Sequence, residues 1–487
     1  MDGGEGQLES NRNTIQYTVG VAVHEIGHVI GVTSDSLAFF RHPLTGHPLT
    51  KRPFEVSTVT CINGVEQTLA GMPGPAVLGQ GVHEASGGRY FEIVTPTVRR
   101  VVQNQFDCPE MTGARLENQP TSDDCFGSHF DEKLHYTEIM GAVFSQSVNI
   151  LSPLTLALLE DSGWYRANYE SEYVRISMFG HGAGCPFVDG NCLDGDGNLP
   201  PSSEGNFCND PISISSSGLI EPEESGDQTC DPSHTHKTYC DYVNKYEVNA
   251  IGKTGTALEE PPEQFLYDRD SPNYRPYIFT QADYCPVPHL DPQSCLVPGE
   301  GRRTPHSQEA AAAGETRGPD SRCVTTDGSR PYSLCLRTTC DADAGKVRIY
   351  AGGQTRTCDR DGQVHTVLSD YGGSGPLRIK CPKAALVCPD LFCPLNCAGR
   401  GRCVYRREGE GDGAPLARCE CDSGLDPSEA CLGTEPAFPE VYGYRSVEEE
   451  GSADKTVFLL IVGGVVGGLA TMYVVVRQWK ARQNVFM

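Results

Sequence analysis

Cysteine is the residue that most constrains this chain. There are 22 among 487 residues, and sixteen of them lie between Cys61 and Cys388. That density fits an oxidising, secreted setting and a loop-rich, disulfide-stapled fold. Neither the spacing nor the length suggests an array of zinc fingers. The length suits two or three domains. A net charge of −25 and a pI near 4.9 argue against a nucleic-acid partner and for an acidic ectodomain.

The stretch VAVHEIGHVIG, residues 21–31, carries the candidate chemistry. In a helix, residues four apart share a face. His24 and His28 would therefore project side by side, close enough to grip one ion. Glu25 is offset by about 100° around the axis. That suits a general base reaching a water on the metal rather than a third ligand. H-E-x-x-H is the zinc-protease pattern. Ala22, Ile26, Val29 and Ile30 are expected to form the helix's buried face. The plainer reading is a core helix whose two histidines are satisfied by hydrogen bonds. Gly31 favours the metal: glycine can take positive φ and end a helix sharply, sending the chain away so that a distant third histidine can return. By spacing alone that histidine could be His42, His47, His83, His129 or His135.

The two ends of the chain differ in character. The first residues show no apolar signal segment. Residues 456–476 run 21 positions without a charge, long enough to cross a bilayer. Arg477, Lys480 and Arg482 follow, and Glu448, Glu449, Glu450 and Asp454 precede. The positive-inside rule then places the body outside a cell-surface membrane, with a short cytoplasmic tail at 477–487. An exported ectodomain needs a leader, so this reading expects the sequence to be part of a longer precursor. Gly463/Gly467 and Gly464/Gly468 match G-x-x-x-G, which would allow weak dimerisation through the span. Glycine is also simply common in membrane helices.

Between the ends, Val98, Val101 and Val102 predict an amphipathic helix over about 97–106. Ser152, Pro153 and Gly163 bracket a buried helix as cap, first turn and stop. Residues 302–321 read as a low-complexity, mobile insertion. VRIYAGG, TVLSDYGG and LRIKC read as short strands joined by turns. DGDGN at 194–198 lacks the glycine and glutamate of a calcium loop and reads as a turn. His234 and His236 read as solvated loop residues rather than a surface metal site. No N-x-S/T sequon is present.

Two resemblances add to this. Cys393, Cys397, Cys403, Cys419, Cys421 and Cys431 resemble an EGF-like module at 391–432, followed by a stalk at 433–455. That resemblance implies the pairs Cys393–Cys403, Cys397–Cys419 and Cys421–Cys431, and no acidic calcium signature precedes Cys393. Most of residues 14–388 resembles the leishmanolysin family of metzincin proteases. HEIGHVIG, AFFR, GSHFDEKLHYTEIMGA, GWYRANY, GCPFVDGNC, CLRTTCDA and IKCPKAALVC carry the likeness. In that family the third histidine ends a G-S-H segment, and the methionine of a turn follows eleven residues later. The resemblance thus implies His24, His28 and His129 as ligands of one Zn2+, with Met140 as an apolar floor and not a ligand. Glu25 would be the catalytic base.

The implied fold class is α+β. A metzincin-type catalytic region would occupy 1–165 and a cysteine-rich C-terminal domain 166–390. Only 23 residues precede His24, so the strand that usually walls the cleft upstream is expected to be missing. The implied function is a membrane-anchored zinc endopeptidase acting on protein or peptide substrates. The rival is a catalytically impaired adhesion or binding protein on the same scaffold.

Overall fold

The computed structural model describes residues 4–434 apart from 63, 84–87, 118–124, 144–148, 195, 211–227, 242–280, 299–306, 329–330, 371–374 and 406–416. Among these residues no helix is long and apolar enough to cross a membrane. The expected span at 456–476 and the tail at 477–487 lie outside them.

Helix α1 (Gly4–Ile30) ends in a glycine turn. Gly31 adopts φ 124°, its N–H donates to the His28 carbonyl at 3.1 Å, and the Val32 N–H donates to the Gly27 carbonyl at 2.9 Å. These two bonds are the Schellman pattern. A Cβ on Gly31 would also sit 2.7 Å from the Trp164 ring, so torsion and packing both require glycine. The expected apolar face is not the buried one. Val29 is 75% exposed and Ala22, Ile26 and Ile30 are only half-buried, whereas His24 and Gly27 are buried. The helix can turn only one side to the body. Turning the histidines inward leaves Val23 and Val29 exposed and Ala22, Ile26 and Ile30 only partly covered.

After α2 (Ser34–Leu37), β1 (Val56–Thr60) and β2 (Glu66–Ala70) form an antiparallel hairpin. Strands β3 (Leu78–Val82), β4 (Arg89–Ile93) and β5 (Ala114–Arg115) form an antiparallel sheet in that order. Helix α3 (Pro96–Phe106) connects β4 to β5 and buries Val98, Val101 and Val102, as the spacing predicts. Helix α4 (Glu132–His135) follows the His129 segment. Helix α5 (Pro153–Asp161) starts where expected: the Leu154 N–H donates to Ser152 Oγ at 3.0 Å. It stops before Gly163, at φ 75°. Helix α6 (Cys185–Asp189) completes this part. One apolar core draws on residues from Val32 to Val287 and includes Met140 and Phe130.

Strands β6 (Thr229–Cys230), β7 (His236–Cys240) and β8 (Pro288–Ser294) pair antiparallel. Helix α7 (Ser307–Ala313) lies within the stretch expected to be a mobile insertion. Instead, Ala310 and Ala313 are buried in a second core, and the Tyr332 hydroxyl donates to Glu309 at 2.7 Å. Alanine is the strongest helix former, and its small side chain packs closely, so low complexity here encodes a helix. That core is covered by β9 (Ser321–Thr325), β10 (Ser333–Asp341), β11 (Lys346–Ala351) and β12 (Gln354–Cys358), with β13 (Val364–Leu368), β14 (Leu377–Lys380) and α8 (Ala384–Val387) beside them. The three short strands read from sequence are β11, β13 and β14. The last hairpin, β15 (Gly401–Tyr405) with β16 (Ala417–Cys421), holds Cys393–Cys403, Cys397–Cys419 and Cys421–Cys431, the pairing that the EGF-like resemblance implies. No cysteine is free.

Candidate metal centre

Three imidazoles from two remote pieces of chain meet at one point. His28 Nε2 lies 3.0 Å from His24 Nε2 and 3.1 Å from His129 Nε2. Helical spacing brings the first two together. The third arrives on a segment fixed four ways. Cys125 is bonded to Cys61. Leu116 and Phe130 form an antiparallel bridge. The Phe130 N–H donates to the Met140 carbonyl at 3.0 Å. The Ser34 N–H donates to Ser128 Oγ at 3.0 Å.

The outer ring nitrogens decide what these atoms can do. His24 Nδ1 lies 2.7 Å from the Ile139 carbonyl, His28 Nδ1 2.6 Å from the Val32 carbonyl, and His129 Nδ1 2.8 Å from Glu117 Oε2. Carbonyls and carboxylates only accept, so each Nδ1 carries the proton and donates. As neutral rings they would turn three Nε2 lone pairs toward one another. One shared proton would bridge two of them and leave the third unmatched. A single cation satisfies all three, and the 3.0–3.1 Å gaps let an ion at about 2.0–2.1 Å touch both members of each pair. Burial pushes the His24 pKa below the ordinary histidine value, opposed by its bond to Ile139. That favours the neutral, metal-ready ring. The residues present therefore fit a zinc ion.

Met140 is 1% exposed and lies under α1. A methyl group built on Gly27 would overlap its sulfur. The methionine thus sits beneath the turn joining the two helical histidines. Glu25 is next to His24 and exposed to solvent. An apolar recess lined by Val32, Leu37, Ile93, Leu116 and Phe130 adjoins His129.

The other histidines lie elsewhere. His135 is in the core against the rings of Phe106 and Phe130, where burial lowers its pKa to about 3. His42 Nδ1 accepts from the Leu44 N–H. His83 is buried, and His47 is half-buried. His234 and His236 are not solvated loop residues. His234 is buried with Nδ1 on the Cys323 carbonyl at 2.8 Å, and His236 Nδ1 lies 3.6 Å from Asp231. Both are tied into the fold by local acceptors. The turn at Asp194 is as read, its carboxylate accepting from the Asp196 and Asn198 N–H groups.

Two residues of the centre, Gly27 and Glu117, are not picked out by the sequence reading. A glycine in mid-helix hints at a close approach. Nothing in the spacing singles out a glutamate twelve residues before His129.

The model of the peptidase M8 family, leishmanolysin, matches residues 6–393. The leishmanolysin-like peptidase of Drosophila pseudoobscura pseudoobscura is 32% identical over 193 residues, which are 38% of this chain and 27% of that relative. The leishmanolysin-like peptidase of Caenorhabditis elegans is 30% identical over 195 residues, 38% of this chain and 28% of the relative. The ciliated left-right organizer metallopeptidase of Danio rerio is 26% identical over 184 residues, 37% and 25% respectively. The match spans little more than a quarter of these relatives' length. The family match takes in both segments that build the histidine cluster, and the chain belongs to the leishmanolysin peptidase family.

Proposed function

We propose that the protein is a zinc-dependent endopeptidase, with one Zn2+ held by His24, His28 and His129 in a metzincin-type site. The observation that carries this reading is the convergence of three ring nitrogens whose outer partners leave them only lone pairs. Zinc, when bound, supplies Lewis-acid polarisation of a carbonyl and acidifies water to a pKa of about 7. Every other contribution comes from the chain. The Glu25 carboxylate takes the proton of the attacking water and returns it to the departing amine. Met140 backs α1 and keeps the ring pair in register.

Glu25→Gln tests this directly. Glutamine keeps the shape, but its amide cannot accept the water's proton and pass it on, so turnover of casein should fall by roughly 100-fold or more. Zinc content, measured by elemental analysis, should stay at one per chain. A Glu25→Gln protein that cleaves at the wild-type rate removes the mechanism. The rival reading, a surface-binding protein on a peptidase scaffold, is favoured by the EGF-like cystine pattern. It predicts a zinc-loaded wild-type protein with no chelator-sensitive cleavage. On the sequence of 456–476 and its flanking charges, we place the protein at the cell surface, with one span.

A further inference from the structure

The three outer ring nitrogens do not end on equivalent groups. Those of His24 and His28 meet main-chain carbonyls, which are neutral and which no substitution removes. That of His129 meets a side chain, Glu117 Oε2, at 2.8 Å. The carboxylate is held in place. The Glu117 N–H donates to the His129 carbonyl at 2.8 Å, and the Gly127 N–H donates to the Glu117 carbonyl at 3.2 Å. Gly127 leaves room for it: a Cβ there would lie 2.6 Å from Glu117 Cβ and 2.7 Å from Glu117 Oε2. The Glu117 side chain is 17% exposed, so water screens the contact only in part.

The need for such a group is greatest at His129. Helix geometry aims His24 and His28 whatever surrounds them. His129 belongs to no helix or strand, and its ring direction depends on what holds its far side.

We propose that Glu117 is a positioning residue of the metal centre. Its carboxylate fixes the His129 ring as the Nδ1–H form, turns Nε2 toward the point shared with His24 and His28, and places a negative charge behind a ligand of a dication. It touches neither substrate nor metal. This assignment rests on the zinc reading above. Outer carboxylates of this kind typically contribute about 10–100-fold to metal affinity.

The test uses the full chain with its disulfides formed. Zinc affinity is measured by competition with a chromophoric chelator for wild type, Glu117→Ala and Glu117→Gln, and each protein is also loaded with Co2+ for its visible spectrum. Glu117→Ala should bind zinc about 10–100-fold more weakly and change the cobalt spectrum. Glu117→Gln retains an acceptor for the ring N–H without the charge, and should lose less. The zinc-free melting temperatures of all three proteins should agree within a few degrees. Equal zinc affinity for wild type and Glu117→Ala overturns the assignment alone. So does a loss of affinity that tracks a loss of zinc-free stability in both variants, because a merely structural role would do that. A wild-type protein that binds no zinc overturns the zinc reading and this assignment with it.

Discussion

A methyl group has no room at Gly27. The position faces the Met140 sulfur, and Met140 is itself buried. Two effects oppose each other in Gly27→Ala. Alanine gains about 1 kcal/mol of helix propensity over glycine. Overpacking a filled site costs about 1–3 kcal/mol. The balance should be a net loss of up to about 2 kcal/mol in the wild-type background. In a Met140→Ala background the obstruction is gone, and the same change should stabilise. Denaturant unfolding of the four proteins of this cycle measures it, and simple additivity would show that the methionine is not the obstacle. This pair also marks where sequence reading stops at the residue scale. His24, His28 and Gly31 were legible because their relation is local, set by helix geometry and by the torsions glycine permits. Gly27 and Glu117 matter only for what tertiary folding brings against them, and one sequence does not show which groups those are.

Among the elements, α3 has the most unusual surroundings, because the C-terminal cystine module is bonded to it through buried polar groups. Asn104, 2% exposed, donates to the Asn396 and Gly401 carbonyls at 2.8 and 2.9 Å and accepts from the Cys403 N–H at 2.9 Å. The Tyr405 hydroxyl donates to the Asn104 carbonyl at 2.8 Å. Arg400 meets Glu160, at the end of α5, at 2.8 Å, and neither side chain is more than 9% exposed. Asp161, next along α5, accepts from the first α3 amides, Thr97 and Val98. The module is thus joined to two helices of the core that carries the histidine cluster, which is not how a separately tethered adhesion unit would sit. Removing one partner of a buried ion pair leaves the other charge unmatched, so Arg400→Ala should cost about 3–5 kcal/mol. Replacing both, as in Arg400→Met with Glu160→Leu, should recover most of that loss. Thermal unfolding under non-reducing conditions compares them, and an Arg400→Ala protein as stable as wild type would mean that the seam carries little energy. The existence of α3, α5 and three strands of the second core, β11, β13 and β14, could be read from periodicity, capping residues and turn residues. The seam could not, since Asn104 and Arg400 lie almost three hundred positions apart in a chain of 487. The outward face of α1 was misread for a related reason: apolar spacing shows that a helix has two sides but not which side meets the body, and here the histidines decide it.

For the molecule as a whole, covalent staples are unevenly distributed. Eleven disulfides join the chain between Cys61 and Cys431, and Cys61 comes 31 positions after the end of α1. The His129 segment is tied down through Cys61–Cys125, whereas the helix bearing His24 and His28 is held by packing, hydrogen bonds and any shared ion. Its outward face adds little, with Val23 and Val29 exposed. An ion gripped from both sides would act as the missing cross-link, closing a loop of about a hundred residues, and closure of long loops restrains the unfolded chain most. Zinc at 100 times its dissociation constant would add about 2.7 kcal/mol to the state that holds it. Hydrogen exchange with and without a chelator should show where that energy is stored. The amides of the last turns of α1 and of the Gly31 turn should exchange about 100-fold faster once zinc is removed, by the same free energy. The β9–β12 sheet and the β15–β16 hairpin, which have their own disulfides, should not change. Uniform acceleration across all three regions would mean that the ion stabilises one cooperative unit, and no acceleration at α1 would mean that the helix is held in place without it.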